Sequence, residues 1–215
     1  GEICYGKVLQ ARIFPGTGHE GNDVTIRVVS FFTPDYTDDI DAMVATASEL
    51  GLDLHAVAMP AMKWELAVAM KPAFIAGQLA EVGSMCDGLL WVDADARFLA
   101  VPKWEEFTKS DVACHQFRRT PGHLPEFLTG TLWFRNSAAA KGCGEDWVDE
   151  TGHHGGDTPE QDSLRACHAR WQSRIKFADL GASMVYIHDD FKIHYPDVKP
   201  TVLHLQRSRE RRGKA

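Results

Sequence analysis

The chain has 215 residues, of which 44% are hydrophobic and 25% are charged, and its formal net charge is −7. This size and apolar content predict one domain with a substantial core, and the negative charge argues against nonspecific nucleic-acid binding by the whole surface. No apolar run approaches the ~20 residues that cross a bilayer, and the five scattered cysteines form no C-x-x-C pair. We therefore expect a soluble protein of a reducing, cytoplasmic compartment, without a membrane span.

The first part of the chain predicts alternating strands and helices. Its predicted elements are an edge strand in an N-terminal extension (1–23), a strand over 24–32, a helix over 38–50, a strand over 52–59 and a helical stretch over 61–82. The second to fourth of these make a βαβ unit. The helical stretch is predicted to break at Lys71-Pro72, because proline opens a helix more readily than it sits inside one.

The next stretch changes from apolar to acidic within a few residues. Residues 89–92 predict a buried strand of a parallel sheet, and Asp93 and Asp95 follow it directly. If the strand geometry continued, the two carboxylates would share one face, and a divalent cation would neutralise them. Two other acid-x-acid triplets occur, about as many as chance gives, so the prediction rests on the position after a strand. Ligand sites of open α/β sheets lie there, which predicts a metal or phosphate site.

The remaining elements are less regular. They are predicted as a short helix over 104–107, strands over 111–117 and 126–136, helices over 137–148 and 158–171, strands over 175–177, 183–187 and 201–205, and a basic tail over 207–215. The second of these strands contains Gly130, which indicates that a ligand or a second backbone approaches closely. We expect residues 24–206 to form a single catalytic domain.

Several motifs follow one another in a distinctive order. They are Thr33 and Tyr36 after the first strand, then Lys71, Pro72, Phe74 and Ile75, then Trp91-Val92-Asp93-Ala94-Asp95, residues 129–136, and Glu160-Gln161-Asp162-Ser163-Leu164. This order resembles that of the metal-dependent GT-A glycosyltransferases, and in particular the glycogenin-like and nucleotide-diphospho-sugar transferase group. The resemblance spans about residues 24–205 and implies an α/β fold with a Rossmann-like, mixed but mainly parallel sheet flanked by helices.

This resemblance implies roles for the residues at the strand ends. Thr33 and Tyr36 would hold the base and ribose of the nucleotide. Asp93 would lie near the ribose or the metal, and Asp95 would bind Mn²⁺ or Mg²⁺ bridging the diphosphate. Lys71 corresponds to the basic residue ahead of the carboxylate motif, and together with the cation it would stabilise the departing nucleoside diphosphate.

The C-terminal part departs from the family pattern. Where the family has His-x-x-Gly-x-x-Lys, this chain has only His204-Leu205-Gln206-Arg207-Ser208-Arg209. The resemblance makes His204 a metal ligand and leaves Arg207 or Arg209 to replace the phosphate lysine. Residues 160–162, Glu160-Gln161-Asp162, stand where the family has Asp-Gln-Gly. We expect them to line the reacting face from a helix start whose positive end keeps carboxylates ionised.

The resemblance therefore implies a hexosyl- or pentosyltransferase that uses a nucleotide-sugar, with a UDP-sugar favoured, and retains the anomeric configuration. The acceptor stays open among a glycan, a protein and a modified DNA base. Two other classes also stay open: a nucleotide-binding or nucleotidyltransferase-like protein without sugar transfer, and a nucleic-acid-binding module that acts through the basic tail.

Overall fold

A computed structural model describes residues 8–10, 24–120, 122–154 and 159–207. Its strands are β1 (Val8–Gln10), β2 (Ile26–Phe32), β3 (Leu54–Ala58), β4 (Gly88–Val92), β5 (Ala96–Phe98), β6 (Val112–Phe117), β7 (Glu126–Arg135), β8 (Phe177–Asp179), β9 (Tyr186–Ile187) and β10 (Val202–His204). Its α-helices are α1 (Thr37–Glu49), α2 (Trp64–Glu81), α3 (Ala138–Thr151), α4 (Pro159–Trp171) and α5 (His188–His194).

The main sheet has seven strands in the order β1-β3-β2-β4-β7-β6-β8. The strands β2, β3 and β4 are parallel to one another, and β7 is antiparallel to both β4 and β6, while β6 is parallel to β8. Among the described strands of this sheet, five therefore run in one direction, and β7 and β1 oppose them. This confirms the predicted α/β fold with a mixed, mainly parallel sheet.

Both faces of the sheet are covered. Alternate residues of β4 belong to different cores: Leu89 and Trp91 pack with apolar side chains of α2, α3 and α4, whereas Leu90 and Val92 pack with those of α1 and β5. A strand that is buried on both faces has no polar side, which explains why β4 is continuously apolar in sequence. A small sheet in the order β5-β10-β9 adjoins the second core.

The predicted break at Lys71-Pro72 is wrong. The helix α2 is continuous, with Pro72 inside it. Proline supplies no N–H to the Val68 carbonyl, a loss that costs up to about 3 kcal/mol in a helix. The apolar side chains of α2 on either side of Pro72, such as Val68 and Phe74, are buried, and this packing holds both halves in one helix.

Two further boundaries differ from prediction. The strand predicted over 183–187 is mostly a 3-10 helix, Ala182–Val185, with only Tyr186–Ile187 as strand β9. The helix α5 that follows was not predicted, because its seven residues are mostly polar and too few for a clear helical period. The predicted tail beyond Arg207 and the predicted helix start at Thr158 lie outside the described residues.

None of the described helices is long and apolar enough to cross a membrane. The four cysteines in the described part of the chain are buried free thiols.

Candidate active site

The site begins where the central strands end. Thr33 follows β2, and Asp93 follows the neighbouring strand β4. The chain turns after Asp93, because the Ala96 N–H donates to the Asp93 carbonyl at 3.0 Å, and strand β5 then begins. The strand geometry therefore does not continue through the motif, and Asp93 and Asp95 contact different neighbours.

Asp93 lies beside a buried lysine. The Lys71 Nζ is 2.9 Å from Asp93 Oδ1 and 3.8 Å from Glu160 Oε1, and the side chain of Lys71 is only 6% exposed. Burial acts to lower the pKa of Lys71, but the charges of Asp93 and Glu160 outweigh it and raise the pKa above its ordinary value. The lysine is therefore a fixed, buried cation at the end of β4.

The opposite wall of the site comes from an irregular part of β7. Ala113 of β6 pairs with Trp133, whereas His115 pairs with Leu128, so the register between the two strands shifts across residues 129–132. Such irregularities redirect side chains, often beside active sites. Here Thr129 is brought to the lysine: its carbonyl and its hydroxyl each accept from Lys71 Nζ at 3.3 Å.

Gly130 lies between Asp93 and His204. A Cβ atom on Gly130 would be 3.0 Å from His204 Cε1, 3.1 Å from His204 Nδ1 and 3.5 Å from Asp93 Oδ2. The close approach predicted for this glycine is therefore made by the imidazole of a distant strand, β10. The approach holds only because residue 130 has no side chain.

His204 is buried and aimed at the acidic motif. Its Nε2 is 2.9 Å from the Thr131 hydroxyl, and its Nδ1 is 3.9 Å from Asp95 Oδ1. Burial is the main cause that lowers the pKa of His204, so the neutral ring is favoured. In the tautomer whose Nε2–H donates to Thr131, Nδ1 presents a lone pair towards the Asp95 carboxylate.

Three of these side chains carry atoms of the kinds that bind a divalent metal. His204 Nδ1 and Asp93 Oδ2 both approach Gly130, and Asp95 Oδ1 is 3.9 Å from the same imidazole nitrogen. Imidazole nitrogen and carboxylate oxygen are both ligands that divalent metals accept. Burial also raises the pKa of Asp95, a cost that a bound cation would offset. Within the described ranges, no group of three or more His, Cys, Asp or Glu side chains is placed so that it could hold a metal ion.

The chain after β10 closes over Asp95. The backbone N–H of Arg207 donates to Asp95 Oδ2 at 2.9 Å, and the Arg207 guanidinium lies 3.5 Å from Asp39 Oδ1. Gln206, which lies between β10 and Arg207 in the chain, has a positive φ of 53°. Arg207 thus reaches the predicted site, but its contact with the carboxylate motif is made by the backbone.

Two clefts meet at Lys71, Asp93 and Asp95. One is lined by aromatic residues near the end of β2 and by Thr33, Tyr36 and Trp64. Thr33 is buried and its hydroxyl donates to Asp35. The other cleft continues past Thr129, Gly130, Glu160, Gln161 and His204 to a charged pair, Arg119 and Glu126.

The three residues predicted to line the reacting face from the start of α4 have different surroundings in the structure. Glu160 is buried in the second cleft, where its Oε1 accepts from the Thr129 hydroxyl at 2.9 Å, and its Oε2 has no partner among the described residues. Gln161 also lines this cleft. The carboxylate of Asp162 instead pairs with Arg165 at 2.9 Å, and Asp162 is not among the described residues that line either cleft.

Burial opposes the effect predicted for the helix start on the pKa of Glu160. Burial is the largest influence and raises the pKa of Glu160, although Lys71 and the Thr129 hydroxyl act against it. The positive end of a helix is worth only a fraction of a kcal/mol to about 2 kcal/mol, and it does not outweigh burial here.

Several residues of the site were not predicted as site residues. They are Trp64, Thr129, Thr131, Arg119, Glu126 and Gln206. Thr129 and Thr131 flank the internal glycine of a predicted strand, and this signal would have identified them. The others carry no local pattern, because the fold alone brings them to the clefts.

No protein-family model matches the chain, and no curated protein matches it. Among solved structures, the chain is similar to a glycosyltransferase involved in the glycosylation of the major capsid of PBCV-1, with 16% identity and a TM-score of 0.65 over 88% of this chain and 98% of that one. It is also similar to the glycosyltransferase GlyE of Streptococcus pneumoniae TIGR4, with 12% identity and a TM-score of 0.53 over 85% of this chain and 54% of that one. The apo form of GlyE aligns equally well, with a TM-score of 0.51. The likeness establishes that the chain has the GT-A-like fold of these glycosyltransferases.

Proposed function

We propose that this protein is a metal-dependent glycosyltransferase that moves a sugar from a nucleotide-sugar to a hydroxyl acceptor and retains the anomeric configuration. The observation that carries the proposal is the convergence of Asp93, Asp95, His204 and Lys71 at the point where the two clefts meet. The fold shared with glycosyltransferases supports it.

The residues divide into a donor side and a reacting side. Thr33 and Tyr36, in the aromatic cleft, would bind the base and ribose, for which uracil is favoured by the resemblance. Asp93, Asp95 and His204 would hold Mn²⁺ or Mg²⁺, which when bound neutralises the diphosphate of the leaving group. The ammonium of Lys71 is held in place by Asp93 and Glu160, so it stabilises developing charge without reorganisation.

Glu160 is the side chain proposed to face the reacting sugar. Its Oε1 is engaged by Thr129 and Lys71, which leaves Oε2 without a partner among the described residues. A carboxylate oxygen so placed would stabilise an oxocarbenium-like transition state on the donor sugar or attack it. NMR of the product linkage reports retention, and an inverted product would contradict this role.

The experiment that tests the proposal is calorimetry of UDP binding with Mn²⁺ and with a chelator. We expect binding in the presence of Mn²⁺ and at least about tenfold weaker binding in its absence, because the diphosphate would otherwise face Asp93 and Asp95 directly. Equal binding in both conditions would contradict the metal role. Tighter binding of ADP or GDP than of UDP would replace only the assignment of the base.

A further inference from the structure

The far end of the second cleft contains an arginine held between two carboxylates. Arg119 Nε donates to Glu126 Oε1 at 2.9 Å, and Arg119 Nη2 donates to Asp190 Oδ2 at 3.2 Å. The guanidinium also stacks over the Phe117 ring, 5.3 Å from its centroid. Arg119 and Glu126 line the second cleft but not the aromatic cleft, which meets the second cleft at Lys71, Asp93 and Asp95.

Asp190 is held rigidly because α5 is fixed at its other end. Tyr195, just after α5, places its hydroxyl 3.2 Å from His115 Nε2, and His115 Nδ1 is 2.8 Å from Asp179. Phe191 of α5 is fully buried against Phe117. The charged group is therefore preorganised, and a ligand that binds it does not first have to order it.

The pairing of Arg119 with Glu126 and Asp190 leaves one hydrogen-bond donor and one acceptor available. No partner is found among the described residues for Arg119 Nη1, a donor, or for Glu126 Oε2, an acceptor. A sugar ring carries adjacent hydroxyls that each donate and accept, so it satisfies both groups at once. The apolar side chains of Leu128, Val185 and Ile187 line the same cleft and suit the C–H face of such a ring.

The same charges disfavour a polyanion. A phosphodiester only accepts hydrogen bonds, and it would compete with two carboxylates for the single guanidinium of Arg119. The neighbouring Arg118 donates to the backbone carbonyl of His123. The cleft therefore lacks the uncompensated cations, within its described lining, that a nucleic-acid acceptor needs.

We infer that the acceptor is an uncharged sugar, bound at this end of the second cleft through Arg119 and Glu126. This inference rests on the proposed glycosyltransferase function. It selects a glycan over modified DNA as the acceptor, and the test that follows decides between a glycan and a protein.

The test uses the full chain with Mn²⁺ and a panel of nucleotide-sugars, and it measures donor hydrolysis and transfer separately. The acceptors are methyl glycosides of common hexoses, pentoses and deoxyhexoses in both anomeric forms, a serine- and tyrosine-containing peptide, and duplex DNA with 5-hydroxymethylcytosine. We expect transfer to at least one methyl glycoside. Arg119→Ala and Glu126→Ala should each lower the ratio of transfer to hydrolysis by about tenfold or more, because each removes a charged hydrogen-bonding group.

The matched control is Arg170→Ala. Arg170 is equally exposed and also bridges two carboxylates, Asp146 and Glu150, but it is not part of either cleft. Arg170→Ala should keep the wild-type ratio of transfer to hydrolysis. Hydrolysis with transfer to no methyl glycoside, transfer confined to peptide or DNA, or equal ratios in Arg119→Ala and Arg170→Ala would overturn the inference alone. Absence of both donor hydrolysis and transfer with every nucleotide-sugar would overturn the proposed function, and the inference with it.

Discussion

Lys71 shows how a residue type was recognisable in sequence while its environment was not. The resemblance selected this lysine, but the proline after it suggested an exposed helix start. In the structure the side chain is buried in the middle of α2 and contacts the carboxylates of Asp93 and Glu160. Burial of a charge is tolerated only with such partners, and both partners come from distant parts of the chain.

Gly130 gives the sharpest test among single residues. Gly130→Ala would place a Cβ atom 3.0 Å from His204 Cε1, so the imidazole must shift by a few tenths of an ångström. We expect the apparent affinity for Mn²⁺ in the presence of UDP to fall by about tenfold, because a displaced ligand binds metal poorly. Calorimetry of Mn²⁺ binding measures this change.

The control for that variant is Gly77→Ala, in the middle of α2. In the described part of the chain, no atom outside the backbone of α2 itself lies within 4 Å of an added Cβ at Gly77, and alanine favours a helix by about 0.5–1 kcal/mol relative to glycine. This variant should be slightly more stable and bind Mn²⁺ normally. If Gly130→Ala bound Mn²⁺ as well as Gly77→Ala does, His204 would not be the metal ligand.

The strands and helices were predictable to different degrees, for a physical reason. Continuous apolar runs such as those of β2 and β4 identify buried strands, and both are found close to their predicted bounds. The register shift of β7 was not predictable, because it depends on pairing with β6 and β4 at once. Helix α5 was missed because it is short and has one buried side chain, Phe191.

The pairing of β4 with β7 predicts a steric requirement at Gly88, the first residue of β4. A Cβ atom there would overlap the ring of Trp133 and lie 2.5 Å from the Phe134 carbonyl oxygen. Gly88→Ala should lower the free energy of unfolding by about 1–3 kcal/mol, as overpacking does in other cores. Urea unfolding measures it.

Gly144→Ala is the comparison for this variant, since Gly144 also neighbours Phe134, but at a comfortable 3.9 Å from its ring. Within helix α3 the added methyl should preserve or raise stability. Equal stability of Gly88→Ala and Gly144→Ala would show that β4 and β7 pack less closely than described.

The complete site depends on parts of the chain that are far apart in sequence. Arg207 and Asp95 are 112 residues apart and share a hydrogen bond, and His204 reaches Asp95 because β10 pairs with β5. Spacing and composition could not predict that the C-terminal segment contacts Asp95. The resemblance named His204, and the small sheet provides the physical reason for its position.

The dependence of stability on pH in acid tests the packing around Asp179 in β8, the edge strand of the main sheet opposite β1. Partial burial acts to raise the pKa of Asp179, but hydrogen bonds from His115 and the Gly181 N–H outweigh it and hold the pKa below its ordinary value of 3.8. A carboxylate with a lowered folded-state pKa contributes stability above its unfolded pKa and loses it as pH falls through the folded value. Asp179→Asn should therefore lose less stability than the wild type between about pH 5 and about pH 2, measured by urea unfolding. A steeper loss in the variant would contradict the sign of this shift.

The measurement that most directly tests the metal-dependent sugar transfer is cleavage of nucleotide-sugars without acceptor, screened over several donors with Mn²⁺ or with a chelator. The wild type should release nucleoside diphosphate from at least one donor, with UDP-sugars favoured, and only when the metal is present. Asp95→Asn should reduce the rate by about 100-fold or more while remaining folded, because it removes a proposed metal ligand from a turn outside the strands. Cleavage that persists in the chelator, or that is unchanged in Asp95→Asn, would contradict the account.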